Sequence, residues 1–250
     1  MSVFVVAEVG STHGGKFPAM LEAIQIAKEA GADAVKFQWC SSPERLATRR
    51  HAEEYIWAYK TIAFPKEWLA DLKGTADIRR IEWMCTVYLP EDIEVVALLV
   101  KRFKISSFEA ADYKFVKAHE NYGKQILLSV PGHEDVFYVG KATLLHCVSA
   151  YPAPPDEMNL RCLKSHDGFS DHSAHPLMGA LAVAAGAQII EVHFRLDSTS
   201  SANPDYGHSL SPDQLVQYVQ NVRFAEAAMG TREKRLMPSE ERWAKFRVRA

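Results

Sequence analysis

Short runs rich in β-formers recur along this chain, separated by segments of helical periodicity or by turn-rich loops. The strand-like runs are Val3–Glu8, Ala34–Gln38 (AVKFQ), Ile81–Thr86 (IEWMCT), Phe103–Ser106 (FKIS), Ile126–Ser129 (ILLS), Thr143–Cys147 (TLLHC), a weak seventh around Phe169, and Ile189–His193 (IIEVH). Between them the period changes from two to nearly four. Helices are predicted at Phe17–Ala30, stopped by Gly31, and at Pro65–Gly74, Pro90–Lys101 and Tyr113–Tyr122. Further helices are predicted at Asn159–His166, His175–Ala185 before Gly186, and Ser211–Met229, where Ser211 caps and Pro212 fills the first turn. Eight strands alternating with helices predict an α/β fold, the (β/α)8 or TIM barrel. One unit departs: VPGHEDVFYVGKA after Ser129 has no room for a full helix, so the crossover after the fifth strand is short. The barrel is expected over residues 1–237, with a linker-like tail over 238–250.

With 250 residues, 48% of them apolar, the chain can bury one substantial core. Its net charge of −2 supplies no general field for nucleic acid or membrane, so an anionic substrate needs a local Lys or Arg cluster. Cysteines at 40, 85, 147 and 162 form no CxxC pair and read as reduced thiols of a cytoplasmic protein. The opening MSVFVVAEVG lacks a basic region and meets Glu8 at once, so it reads as a strand rather than a signal peptide. No apolar run approaches membrane-spanning length.

Barrel active sites form at the C-terminal ends of the strands, and here those ends are polar. Glu8 ends the first strand; Lys36 and Gln38 share a face of the second, and Thr86 ends the third. Lys104, Ser107 and Glu109 follow at the fourth, Ser129 at the fifth, His146 and Ser149 at the sixth. Ser170, Asp171 and His172 close the seventh; Glu191 and His193 close the eighth, again two residues apart. Each of these alone reads as a solvated or satisfied group, but their clustering at one end of every strand points to a site. Lys36 and Lys104, with hydroxyls from Thr86, Ser107 and Ser149, make a local site for phosphate or carboxylate.

GFSDHSAHP (168–176) allows three readings: metal site, nucleophilic triad, or polar turn. His172 and His193 end neighbouring strands, which run about 4.8 Å apart, so two imidazoles can share one metal. Asp171 and Glu191 stand near enough to orient those rings. Mn²⁺, Zn²⁺ and Fe²⁺ all suit such a site, and Mg²⁺ remains open. The triad is weaker, because no GxSxG surrounds Ser170. His175, before Pro176, reads as capping or packing.

In order along the chain, AEVGSTHGG, GADAVKFQ, FKISSFEA, LLHCVSAYPAP, GFSDHS, EVHFRLD and NPDYGHSLSP resemble the sialic acid synthase family, with its pseudaminate, legionaminate and spore-coat polysaccharide relatives. The likeness runs from about Phe4 to Pro238. It implies condensation of phosphoenolpyruvate with the open-chain aldehyde of an N-acylated hexosamine, giving a nine-carbon 2-keto acid and phosphate. It also implies that Lys36, Lys104, Thr86, Ser107, Ser149 and Ser170 hold phosphoenolpyruvate, and that His172 and His193 bind a divalent metal, usually Mn²⁺. Glu109 would handle the water that attacks C2; Glu8, Gln38, Tyr151 and Asp205 would contact the sugar or complete the site.

The family usually continues into an antifreeze-like domain that supplies an Arg to the partner's sugar, whereas here MPSEERWAKFRVRA ends the chain. The usual Gly-Pro-Asp reads Asn203-Pro204-Asp205, the usual STGM reads Ser129-Val130-Pro131-Gly132, and Ser149 replaces the usual Asn. Competing readings are the same chemistry on another aldose, and an inactive barrel serving polysaccharide assembly. Arg45, Arg49 and Arg50 could bind a phosphorylated acceptor, though RLATRRH reads more simply as a solvated loop. The aromatic stretch 53–68 suggests an interface, a lid or a core-facing segment, and a homo-oligomer is expected.

Overall fold

The computed structural model describes residues 2–132, 142–231 and 233–246. Eight parallel strands close into a barrel in sequence order: β1 (Phe4–Gly10), β2 (Ala34–Trp39), β3 (Glu82–Val87), β4 (Arg102–Ile105), β5 (Gln125–Val130), β6 (Thr143–Cys147), β7 (Gly168–Asp171) and β8 (Ile189–His193). The helices are α1 (Phe17–Glu29), α2 (Pro43–Arg50), α3 (Ile56–Tyr59), α4 (Glu67–Ile78), α5 (Ile93–Ala97), α6 (Tyr113–Glu120), α7 (Met178–Ala185) and α8 (Pro212–Met229). Among the described residues, no helix is long and apolar enough to cross a membrane, and no disulfide joins the cysteines.

The register brings polar residues of neighbouring strands side by side near the strand ends. Glu8 lies opposite Lys36 and His193, Gln38 opposite Thr86, Thr86 opposite Lys104, and Ser170 opposite Glu191. Below them Val6, Ala34, Met84, Leu127, Leu145 and Ile189 form an apolar plug inside the barrel. A larger apolar layer, including Phe37, Trp83, Phe103 and Phe169, fills the space between sheet and helices. Close approach is purchased with glycine at two points: a Cβ on Gly168 would lie 2.4 Å from Ile189 O, and one on Gly179 would lie 2.5 Å from the Tyr218 ring.

The α8 start follows the sequence expectation, with Ser211 and Gln214 forming a reciprocal capping box. Other elements differ. Helix α4 runs through Gly74 to Ile78, because Leu69, Leu72 and Ala76 keep one face buried and the glycine costs only about 1 kcal/mol. The segment expected as a helix over 90–101 is a 3₁₀ turn followed by the five-residue α5, whose IEVVA carries adjacent β-branched residues. Leu160–Ser165 is a 3₁₀ segment rather than an α-helix, entered through Asn159 in the left-handed region. Helix α7 starts at Met178, and His175 caps the preceding turn by accepting a hydrogen bond from Leu177 N. RLATRRH is not a solvated loop: Ser42 caps α2 by accepting from Arg45 N, and Leu46 and Ala47 are buried. The short crossover expected after β5 falls mostly outside the described residues. Pro238–Phe246 is a 3₁₀ segment with no buried residue.

Candidate functional site

Directly above the apolar plug lies a buried layer of charge. Lys36 Nζ forms an ion pair with Glu8, donates to Thr86 Oγ1 at 2.8 Å, and stands 3.5 Å from Glu191 Oε2. Lys104 Nζ is 3.4 Å from Glu191 Oε1 and donates to Ile105 O at 3.2 Å. Ser170 Oγ donates to the same Glu191 oxygen at 2.8 Å. Glu8 Oε1 accepts from Gly10 N at 2.9 Å and Gln38 Nε2 at 3.0 Å. Glu8, Lys36, Lys104 and Glu191 are all at most 3% exposed.

Two carboxylates sharing Lys36 in a dry interior split apart in acidity. Burial pushes Glu191 up, but Lys104, Lys36 and the Ser170 hydrogen bond outweigh it and hold the carboxyl at about 2. Burial and the Glu191 charge hold Glu8 above its usual value, against Lys36. Burial opposes the Lys36 charge, but Glu191 and Glu8 more than offset it, so Lys36 is raised. Lys104 is lowered: burial dominates, Glu191 offsets part of it, and Lys36 adds repulsion. Lys104 is therefore the under-compensated cation of the layer. A bound anion beside it would restore what desolvation removes.

One level higher, at the barrel mouth, His193 meets Asp205 and His208, with ligand atoms of the three all within 4.8 Å of one another. His208 Nε2 lies 3.6 Å from Asp205 Oδ1, and Asp205 Oδ2 accepts from Ser11 N at 2.6 Å. Gly10 makes room: a Cβ there would lie 2.2 Å from Asp205 Oδ2 and 3.3 Å from His193 Nδ1. His193 Nδ1 is buried without a hydrogen-bond partner. His172 stands beside this group, its ring 5.7 Å from that of His193 and 4.4 Å from Tyr151, with Nδ1 held by Val148 O at 2.7 Å. Burial lowers His172 to about 4 and His193 well below its ordinary value, with His208 and His172 adding to the latter. Neutral imidazoles, a carboxylate and an orphaned ring nitrogen fit a divalent cation. His208 is absent from the sequence expectation, although its place three residues after Asp205 is a signal.

Glu109 sits on the loop after β4. Its Oε1 accepts from Arg50 Nε at 2.9 Å and Nη2 at 2.6 Å, and its Oε2 accepts from Ser106 Oγ. Ser149 Oγ donates to Ser107 Oγ at 2.8 Å. A cavity of about 1120 Å³ is lined by Gln38, Arg50, Glu109, Ser149, Tyr151, Asp205 and His208, so acid, hydroxyl and imidazole groups share one space. Tyr55 and Tyr59 from the 53–62 stretch also line it, making that stretch a cavity wall.

Three expectations are corrected. Asp171 does not orient the histidines; one residue before His172, it faces the helices and accepts from Tyr218 Oη at 2.9 Å and Ser173 N at 2.8 Å. Glu191 is taken up by the lysines and Ser170 rather than by an imidazole. Ser170 donates its hydroxyl proton to that carboxylate and not to a histidine. His146 leaves the mouth altogether: it bonds Met158 O at 2.9 Å and packs on Phe169 behind the sheet.

The sequence profile described as NeuB family matches residues 23–234. The chain is 34% identical over 263 residues to a pseudaminic acid synthase of Campylobacter jejuni, covering 91% of this chain and 75% of that protein. It is 32% identical over 273 residues to an N,N'-diacetyllegionaminic acid synthase of the same species, covering 95% of this chain and 80% of the relative. Among solved structures, the N-acetylneuraminic acid synthetase of Leptospira borgpetersenii superimposes with a TM-score of 0.86 at 27% identity, over 98% of this chain and 91% of that one. The eight-stranded barrel, its polar mouth and these likenesses agree, and the chain belongs to the NeuB family as a sialic acid synthase-like enzyme.

Proposed function

We propose that the protein condenses phosphoenolpyruvate with the open-chain aldehyde of an N-acylated hexosamine, releasing phosphate and a nonulosonic 2-keto acid. The observation that carries this reading is the under-compensated Lys104, linked through Glu191 to Lys36, below a His–Asp cluster whose Asp205 and His208 line the same cavity as Glu109. Lys36 and Lys104 hold the phosphate and carboxylate, and Thr86, Ser107, Ser149 and Ser170 offer hydroxyls to the same molecule. Gln38, Tyr151 and Asp205 hold the sugar, and Glu8 fixes Gln38 and Lys36. His193, with Asp205, His208 and His172 around it, would hold the divalent metal, Mn²⁺ being the first choice. When bound, such an ion supplies Lewis-acid polarisation of the aldehyde oxygen.

In this reading C3 of phosphoenolpyruvate forms the new bond to the aldehyde carbon, the carbonyl π electrons move to oxygen, which takes a proton from solvent to become a hydroxyl, and positive charge is left at C2. Water adds to C2, and Glu109 takes its proton. The C2–O bond to phosphate then breaks as the C2 hydroxyl gives its proton to the departing phosphate, so the bridging oxygen leaves with phosphate and the ketone remains.

The cavity favours an acceptor without a phosphate of its own. Arg45 pairs with Glu91 at 2.5 Å, Arg49 with Asp112 at 2.6 Å and Arg50 with Glu109 at 2.6 Å, so each of these cations is already neutralised. The test is phosphate release from phosphoenolpyruvate with Mn²⁺, comparing N-acetylmannosamine, its 6-phosphate and a panel of unacylated aldoses. Release with the free N-acylated sugar supports the reading. Preference for the phosphorylated sugar or a plain aldose would replace the acceptor, and no release with any would leave an inactive barrel.

A further inference from the structure

The last two residues of α2 hold the loop that carries Glu109 at two points, its middle and its C-terminal end. Arg49 bonds Asp112 Oδ2 at 2.6 Å, while Asp112 Oδ1 caps α6 by accepting from Phe115 N at 2.9 Å. Arg50 gives two N–H groups to a single oxygen of Glu109, leaving the other oxygen to Ser106. Its guanidinium is enclosed by the rings of Tyr88, Phe108 and Tyr59, at 4.7, 5.0 and 5.5 Å from their centroids. Glu109 is 3% exposed and the Arg50 side chain 19%. A buried ion pair is poor evidence for added stability, because desolvating both partners offsets their attraction. A planar fork fixed by three aromatic faces does restrict where a carboxylate can point.

We propose that Arg50 is a positioning residue for Glu109, holding the carboxylate on the cavity wall in the orientation from which it takes the proton of the attacking water. The inference rests on the proposed condensation for its kinetic consequence and on geometry alone for its structural one. Arg50 acts through Glu109, so the two side chains form one functional unit and their losses do not add.

The experiment pairs a crystal structure of Arg50→Met with steady-state phosphate release by the wild type, R50M, E109Q and the double variant. Expected results are a Glu109 carboxylate rotated away from Ser106 in R50M, and a kcat lowered about 100-fold with the acceptor KM within a factor of about three. The double variant should be no slower than E109Q. If R50M does not fold, Arg50→Lys, which keeps the charge but not the fork, enters the same comparison. An unmoved Glu109, an unchanged kcat, or multiplying losses in the double variant would each overturn the proposal. Should the wild type itself release no phosphate, the condensation reading fails, and the position of Glu109 in the variant crystal still decides whether Arg50 holds it.

Discussion

The barrel interior divides between two adjacent levels of the same strands. Val6 and Glu8, Ala34 and Lys36, Met84 and Thr86, Ile189 and Glu191 are each one pleat repeat apart, yet the first of each pair is apolar and the second polar. The lower level is a plug, and its burial adds to stability without offering a group to chemistry. The upper level is equally dry, and there burial acts as a cost that charges must offset against one another. Glu191 gains from two lysines, whereas Lys104 is left in deficit. The difference teaches that this barrel keeps its apolar plug and its buried polar groups on the same backbone, separated by only two residues along β1, β2, β3 and β8.

Substitutions can break that division from either side. The largest effect is expected from Lys104→Met, which removes the deficient cation and keeps the volume. Turnover should fall by about 10³-fold, roughly 4 kcal/mol of barrier, while the melting temperature holds or rises; a folded variant with near-normal rates would show that the upper level is not where substrate binds. The converse is Met84→Ala in the plug. It should lower stability by about 3 kcal/mol in a denaturant titration with kcat unchanged at a permissive temperature.

A third substitution separates histidines of the wall from those of the mouth. His119 is fully buried against Phe103 and Phe115, donates from Nδ1 to Phe115 O at 2.8 Å, and is lowered to about 4 by burial. Because its folded value lies below 6.5, the unfolded chain binds the extra proton first, and stability drains away as pH falls from 6.5 to about 4. His119→Gln should remove up to about 3 kcal/mol of that acid loss and leave turnover at neutral pH intact. Unfolding curves at pH 7 and pH 4.5 that shift equally in both proteins would refute this. The smallest effect, about 1 kcal/mol, is expected for Ser211→Ala at the α8 cap, seen in thermal unfolding with no change in activity.

The strand order and the charged level were legible because apolar runs mark strands and residues two apart share a face, as Lys36 with Gln38 and Glu191 with His193. Parity at strand ends was harder. Asp171 could have been turned outward from its place beside His172, but nothing in TLLHC says which of His146 and Cys147 faces the barrel interior. His208 escaped because it lies on a loop returned to β8 by the Phe194–Leu210 bridge, a contact with no periodic signal. Arg50 escaped because α2 buries only Leu46 and Ala47, so its sequence looks like solvated loop while its end reaches the site.

The most direct test of the central claim is to follow oxygen-18 placed in the bridging C–O–P position of phosphoenolpyruvate during turnover with N-acetylmannosamine and Mn²⁺. The account predicts acceptor-dependent release with the label in phosphate and a new 2-keto acid of nine carbons. Label retained in the organic product, or release that does not require the aldehyde, would contradict it.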